Sequence, residues 1–195
     1  TPYKNTWLKK VDAFYLKPYP VERYTAALAA RPADEPDDVP SLAELGFEST
    51  SLSALKIPAG SQGGDALFED FLARMVNYRE TRDFPAIKGP SYLGVHLRFG
   101  TVSIRKLASI ALEQQQMGSE GATTWLNELI WRDFYAQILS NFPHAACSAF
   151  KPEYDATAWA QGDSAKTLFQ AWCDGQTGYP LVDAAMANDL GADRR

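Results

Sequence analysis

The sequence predicts an all-α fold, and three observations predict it. Apolar residues recur at three- and four-residue steps in several separate stretches, each bounded by a capping residue, a glycine or a proline. No pair of segments shows the two-residue alternation of strands that face a core. No internal repeat is present either. The 195 residues suit one domain or a large piece of one, and 46% hydrophobic with 22% charged residues is the balance of a globular chain.

The elements follow in chain order. Residues 1–24, TPYKNTWLKKVDAFYLKPYPVERY, are rich in proline, aromatics and lysine without a sustained period. They read as an extended segment laid over something larger, and as the middle of a protein. Residues 31–64 hold RPADEPDDVPS and PAGSQGG, the composition of loops and linkers. From Asp65 the pattern changes. Leu67, Phe68, Phe71, Leu72, Met75 and Val76 mark an amphipathic helix that ends near RETRDFP, where Pro85 blocks continuation. GPSYLGVHLRFG is then a glycine-punctuated connector. Ser103 caps a second helix, with Ile104, Leu107, Ile110 and Leu112 on its apolar side and Gly118 closing it. WLNELIWRDFYAQIL, Trp125 to Leu139, is the third helix, and SAKTLFQAWCDG, ended by Gly175, is the fourth. TGYPLVDAAM starts a fifth, with Pro180 suited to its first turn.

Bulk properties exclude several classes. No apolar run approaches the ~18–20 residues of a membrane span, and TPYKNTWLKK lacks the basic-then-apolar order of a signal peptide. The expected setting is therefore soluble and cytoplasmic. Cys147 and Cys173 are too few and too far apart for a disulfide framework or a zinc site, and read as free thiols in the interior; no metal is expected. A net charge of −5 argues against indiscriminate nucleic-acid binding, which needs clustered Lys and Arg, but it leaves room for a local basic patch.

The third helix holds the candidate chemistry. At 100° per residue, Trp131, Tyr135, Glu128, Arg132 and Trp125 fall in that order around an arc of roughly 120°. Leu126, Leu129, Ile130, Phe134 and Ile138 occupy the rest, so the helix is apolar nearly all round and is expected to be buried. A buried charge must be paired, and Glu128 and Arg132 stand at i and i+4. They suit an internal ion pair between packed aromatics. They equally suit a ligand surface, with flat rings to stack on and an acceptor and a forked donor at the polar edge. Spacing leaves both open.

At this helix the chain resembles the photolyase/cryptochrome flavoprotein family, in its helical FAD-binding domain. TPYKNTWLKK resembles the linker into that domain, and YRETRDFPAIKG the Tyr…Arg-Asp-Phe-Pro segment at the flavin's edge. LRFGTVSIRKL and WLNELIWRDFYAQIL resemble the two helices that follow, and AWCDGQTGYPLVDAAM the Gly-x-Thr-Gly-Tyr-Pro-x-Val-Asp-Ala-Ala-Met signature. The resemblance implies FAD as cofactor. It implies that Tyr78 lies beside the FAD phosphates, and that Ser91 and Leu93 belong to a loop whose hydroxyls and amides hold the pyrophosphate. Here Pro90 and Gly94 replace two hydroxyl residues of that loop, and Pro90 has no N–H, leaving Ser91 and the following amides as the anion contacts. Trp125, Glu128 and Arg132 match residues at the flavin and the mouth of the substrate cavity. Glu128 corresponds to a glutamate that approaches the damaged bases. Trp131 corresponds to the tryptophan that stacks on the flipped dimer, with Tyr135 on the same face. Trp159 aligns with the surface-facing electron-transfer tryptophan. Trp172, Tyr179 and Asp183 read as packing and helix-start residues.

The resemblance also has gaps. The family's α/β domain, which carries an antenna chromophore, has no counterpart in a chain that opens at the linker. After VDAAM the family continues into a helix whose asparagine faces the reactive flavin nitrogen. This chain reads ANDLGADRR, as though a segment were missing between Met186 and Ala187, and Arg194 stands where the family has an electron-transfer tryptophan. The expected organisation is a linker and loop segment over 1–64 and a partial FAD-binding domain over 65–195, incomplete at its C-terminal part. The function implied is that of a deoxyribodipyrimidine photo-lyase: light-driven repair of cyclobutane pyrimidine dimers in DNA by electron transfer from reduced flavin, in a parent protein that is a monomer. A cryptochrome-like blue-light receptor, or a flavin-free helical interaction domain, stays open beside it.

Overall fold

The computed structural model describes residues 1–17, 19–30, 32–34, 38–48 and 57–190, the last four as backbone. Arg194 and parts of the expected 31–64 loop lie outside the described residues. Every regular element among those described is helical. In order they are α1 (Pro2–Lys9), α2 (Gly60–Leu72), α3 (Tyr78–Thr81), α4 (Gly94–Phe99), α5 (Ile104–Gln116), α6 (Glu120–Asn141), α7 (Asp163–Cys173) and α8 (Pro180–Leu190), joined by short 3-10 and π turns. None of them is long and apolar enough to cross a membrane. The chain divides into two compact units, residues 1–28 with 58–150 and residues 29–57 with 151–195.

The first unit is built on α5 and α6. Ser103 and Ser119 cap them, their hydroxyls accepting from the Lys106 amide at 3.4 Å and the Ala122 amide at 3.2 Å. Gly118, at φ 91°, takes the left-handed turn that folds one helix back on the other. Leu107, Ala108 and Ala111 then bury with Ala122, Leu126, Leu129 and Ile130, and with Phe68 and Phe71 of α2, in one apolar cluster. Gly121 lies so close to the turn at Met75–Asn77 that a Cβ there would overlap the Met75 and Val76 carbonyl oxygens.

The structure departs from the sequence reading in several places. Residues 2–9 are helical where an extended segment was expected. Thr1 caps α1, Pro2 fits its first turn, and Trp7 anchors it by stacking on Tyr15 at 4.4 Å. The Tyr3 hydroxyl also donates to Asp133 of α6. The run PAGSQGG is helical from Gly60 rather than a loop throughout, since α2 begins there behind an extended Ala59. Gly63 and Gly64 have no room for a side chain, Gly63 against Pro58 and Gly64 against Val102 and His96, so they serve close packing. The helix from Asp65 stops at Leu72, and a 3-10 turn follows that keeps Met75 inside while turning Val76 to the surface. The connector GPSYLGVHLRFG contains α4, which closes on Gly100 at φ 68°. Cys147 is exposed at the end of a short turn after α6, against the expected interior position, and Cys173 is partly buried.

In the second unit, α7 runs between Gly162 and Gly175, and Phe169 stacks on Trp172 at 5.8 Å. Asp183 acts at the helix start as expected. Its carboxylate accepts from the Thr177 hydroxyl (2.6 Å), the Thr177 amide (2.7 Å) and the Gly178 amide (3.0 Å), and these donors, the hydroxyl foremost, hold it below the usual carboxylate range. Tyr179, read as a packing residue, is exposed.

Candidate functional site

Helix α6 positions most of the singled-out side chains. It contains no glycine or proline beyond Gly121, and the capping Ser119 with Glu120 in its first turn start it firmly. Trp125 is 3% exposed and sits beside Phe68 (5.8 Å, near-parallel) and Phe71 (4.9 Å). Tyr78, at the start of α3, is buried edge-on against Phe71 at 5.6 Å, with the Arg82 guanidinium over its ring at 5.6 Å. Burial pushes its phenol up from the ordinary value, Arg82 opposes this, and the charges of Glu128 and Asp83 add to it.

Two expectations about this helix need correcting. Glu128 pairs with Arg82 of the preceding segment, and Arg132 instead donates to the Leu97 carbonyl at 3.1 Å. The Glu128 hydrogen bond, the largest influence on Arg82, holds that guanidinium still more firmly in its charged form. Nor is the helix buried throughout. The Glu128 side chain is 40% exposed, Trp131 is 42% exposed and Tyr135 is 64% exposed. The core covers only one side and the first half of the helix, so the second half runs past it. There Trp131 and Tyr135 stack at 5.8 Å with planes 28° apart, and Phe134 meets Trp131 edge-on at 5.2 Å. Beside them, Tyr3, Asn127, Ile130, Trp131 and Phe134 border a cleft of about 580 Å³.

Leu93 is fully buried, and its amide donates to the Ser91 hydroxyl at 3.4 Å. Tyr78, Trp125 and Glu128 are therefore brought together through Phe71 and Arg82, Trp131 and Tyr135 form an exposed pair, and Ser91 and Leu93 share one loop. Trp159 belongs to the second unit and is 76% exposed. Sequence reasoning missed Arg82 as the partner of Glu128. It lies in the quoted RDFP segment, but no spacing rule links residues on different elements. Arg74 was missed for the same reason: its guanidinium donates to the carbonyls of Lys88, Gly89 and Pro90.

Comparison with known proteins places the chain in a family. The family model described as FAD binding domain of DNA photolyase matches residues 125–189, from Trp125 into α8. The deoxyribodipyrimidine photo-lyase of Vibrio cholerae is 34% identical over 195 residues, covering 95% of this chain and 39% of that protein. That of Escherichia coli is 32% identical, covering 95% of this chain and 38% of its own length. That of Thermus thermophilus is 37% identical over 160 residues, covering 81% of this chain and 37% of its own length. Among solved structures, a bacterial class III photolyase from Agrobacterium tumefaciens is similar at TM-score 0.59 and 32% identity, over 65% of this chain and 26% of that one. The chain thus belongs to the photolyase/cryptochrome family and corresponds to part of its helical FAD-binding domain. It spans about two-fifths of the length of the curated relatives it matches.

Proposed function

We propose that this chain is part of a deoxyribodipyrimidine photo-lyase, which binds FAD and repairs cyclobutane pyrimidine dimers in DNA under blue light. Residues 65–195 are taken as one partial FAD-binding domain, and the parent protein as a cytoplasmic monomer whose antenna chromophore would need a further domain. The observation that carries the reading is that α6 sets an exposed Trp131–Tyr135 stack one turn from Glu128, whose carboxylate is paired with Arg82 of the preceding segment. Flat rings beside a carboxylate suit an unstacked base pair, which offers two π faces and a polar edge.

The residues present fit a flavin dinucleotide in a definite way. Tyr78, Leu93 and Trp125 are already enclosed, so they form the wall behind the cofactor rather than its open contacts. Ser91, Arg82, Glu128 and Arg132 keep polar atoms at or near the surface and would hold its edges. When bound, reduced FAD supplies the light-excited electron that splits the dimer. Trp131 and Tyr135 then orient the bases, and Glu128, held by Arg82, offers its carboxylate to their polar edge. Trp159, with its indole in solvent, suits an entry point for electrons from outside.

The absorption spectrum of the purified chain, in the near ultraviolet and blue, tests this. A flavin band in stoichiometric amount supports it, and repair of dimer-containing oligonucleotide under blue light is the next assay. A protein that stays colourless after incubation with FAD favours the flavin-free reading, for which the sealed Trp125 and Leu93 already provide a complete local core.

A further inference from the structure

The loop from Lys88 to Leu93 is held from behind by one guanidinium. Arg74 leaves the end of α2 with its Nη1 donating to three successive carbonyls, Lys88 (2.9 Å), Gly89 (2.8 Å) and Pro90 (2.7 Å). Its Nε and Nη2 donate to one oxygen of Asp70, at 3.3 and 3.1 Å, while the other oxygen accepts from Lys88 at 2.9 Å. The guanidinium lies 5.2 Å from the centre of the Phe71 ring and 5.7 Å from that of Tyr92, and its side chain is largely covered. Three carbonyl dipoles converging on one point repel each other unless a cation stands there. Tyr92 is also the only described non-glycine residue in the left-handed region, at φ 56°, a conformation a side chain resists unless its surroundings impose it. Gly89 also touches the Thr81–Arg82 backbone too closely to admit a Cβ, which fixes the start of the loop.

The consequence lies on the opposite face. In a trans peptide the N–H points away from the C=O, and no peptide among the described residues is cis. With the Pro90 carbonyl turned to Arg74, the Ser91 N–H is turned away from it, and the adjoining Ser91 hydroxyl accepts from the Leu93 amide. We propose that Arg74 is the positioning residue of the 88–93 loop, which it shapes into a holder for the phosphate groups of a dinucleotide. This rests on the flavin reading above, and adds to it a residue that touches no ligand yet sets the affinity for the phosphates.

The test uses the whole chain with Arg74→Ala and Arg74→Lys, probed with FAD and with riboflavin, which has the same ring system and no phosphate. Loss of the charge-assisted bonds should weaken FAD by about tenfold in Arg74→Ala and leave riboflavin unchanged. Lysine, with the charge but not the fork, should recover part of the loss, and it carries the comparison if the alanine variant does not fold. Amide exchange at Ser91 and Leu93 should speed up in both variants, while α5 and α6 keep their protection. Equal loss of FAD and riboflavin would overturn the proposal in favour of a general structural role, as would unchanged FAD affinity. If the unsubstituted chain takes up neither flavin, the flavin reading fails and the phosphate role falls with it. Loop exchange then decides separately whether Arg74 shapes the loop, and unchanged exchange at Ser91 and Leu93 rejects that too.

Discussion

The two halves of α6 have similar composition and different surroundings. From Gly121 to Ile130 the helix is pressed against α2, α5 and the turn at Met75, and Trp125, Leu126 and Leu129 are shut away from water. From Trp131 onward equally large side chains stand partly in solvent, including Trp131, Tyr135 and Leu139. The first half is therefore core, where every atom is felt. The second leaves aromatic rings partly in solvent, and these are the rings to which the proposed function assigns the contact with unstacked bases.

Substitutions along the helix can break or sharpen that contrast. The largest expected effect is Trp125→Ala, which removes the ring between Phe68 and Phe71 and should cost ~3–5 kcal/mol in denaturant unfolding. Trp131→Ala should cost less than ~1 kcal/mol while weakening binding of dimer-containing DNA by the parent protein. Comparable losses of stability at both positions would erase the difference between the halves. Next is Gly121→Ala, expected to cost ~1–3 kcal/mol or more because the added methyl meets backbone oxygens that cannot swing aside. A melting temperature equal to that of the unsubstituted chain would contradict this close approach.

A third effect depends on pH. Burial raises the Tyr78 phenol in the folded state above its ordinary value of 10.0. A raised folded value means that the stability is fully present below the unfolded pKa and is lost as pH rises through the folded one. Stability should therefore fall above about pH 10, and Tyr78→Phe should make that alkaline fall shallower. Identical alkaline melting profiles would argue that Tyr78 is not enclosed. The smallest effect concerns Glu128. Its pair with Arg82 is 30% exposed on the arginine and 40% on the glutamate, so a double-mutant cycle should give a coupling of only ~0.2–1 kcal/mol. The same cycle between Glu128 and Arg132 should give essentially none, and a larger value there would restore the intrahelical pair expected from spacing.

What was legible in the sequence follows a physical division. The ends of α5 and the start of α8 could be read because Ser103, Gly118 and Pro180 act on their own neighbourhoods. The aromatic face of α6 could be read because helical periodicity is local. The break after Leu72 could not, because Val76 continues the apolar period and only the close approach of Gly121 to the Met75 turn makes the break worthwhile. Helix α1 was missed because eight residues with mixed polarity are marginal alone, and Trp7 and Tyr3 hold them only after docking.

The sequence by itself determined that the chain is helical, where α5 begins and ends and where α8 begins, and which side chains share a face of α6. It also identified the family, because several specific motifs stand in family order. Tertiary structure alone decided that Glu128 turns to Arg82, that Arg132 turns to Leu97, and that Arg74 gathers the carbonyls of a loop fourteen to sixteen residues away. Periodicity reports neighbours within one element, whereas the partner of a charge is set by whichever oppositely charged or polar group the packing of other elements brings within reach. For this helix, packing also decided which tryptophan became core and which stayed partly in solvent.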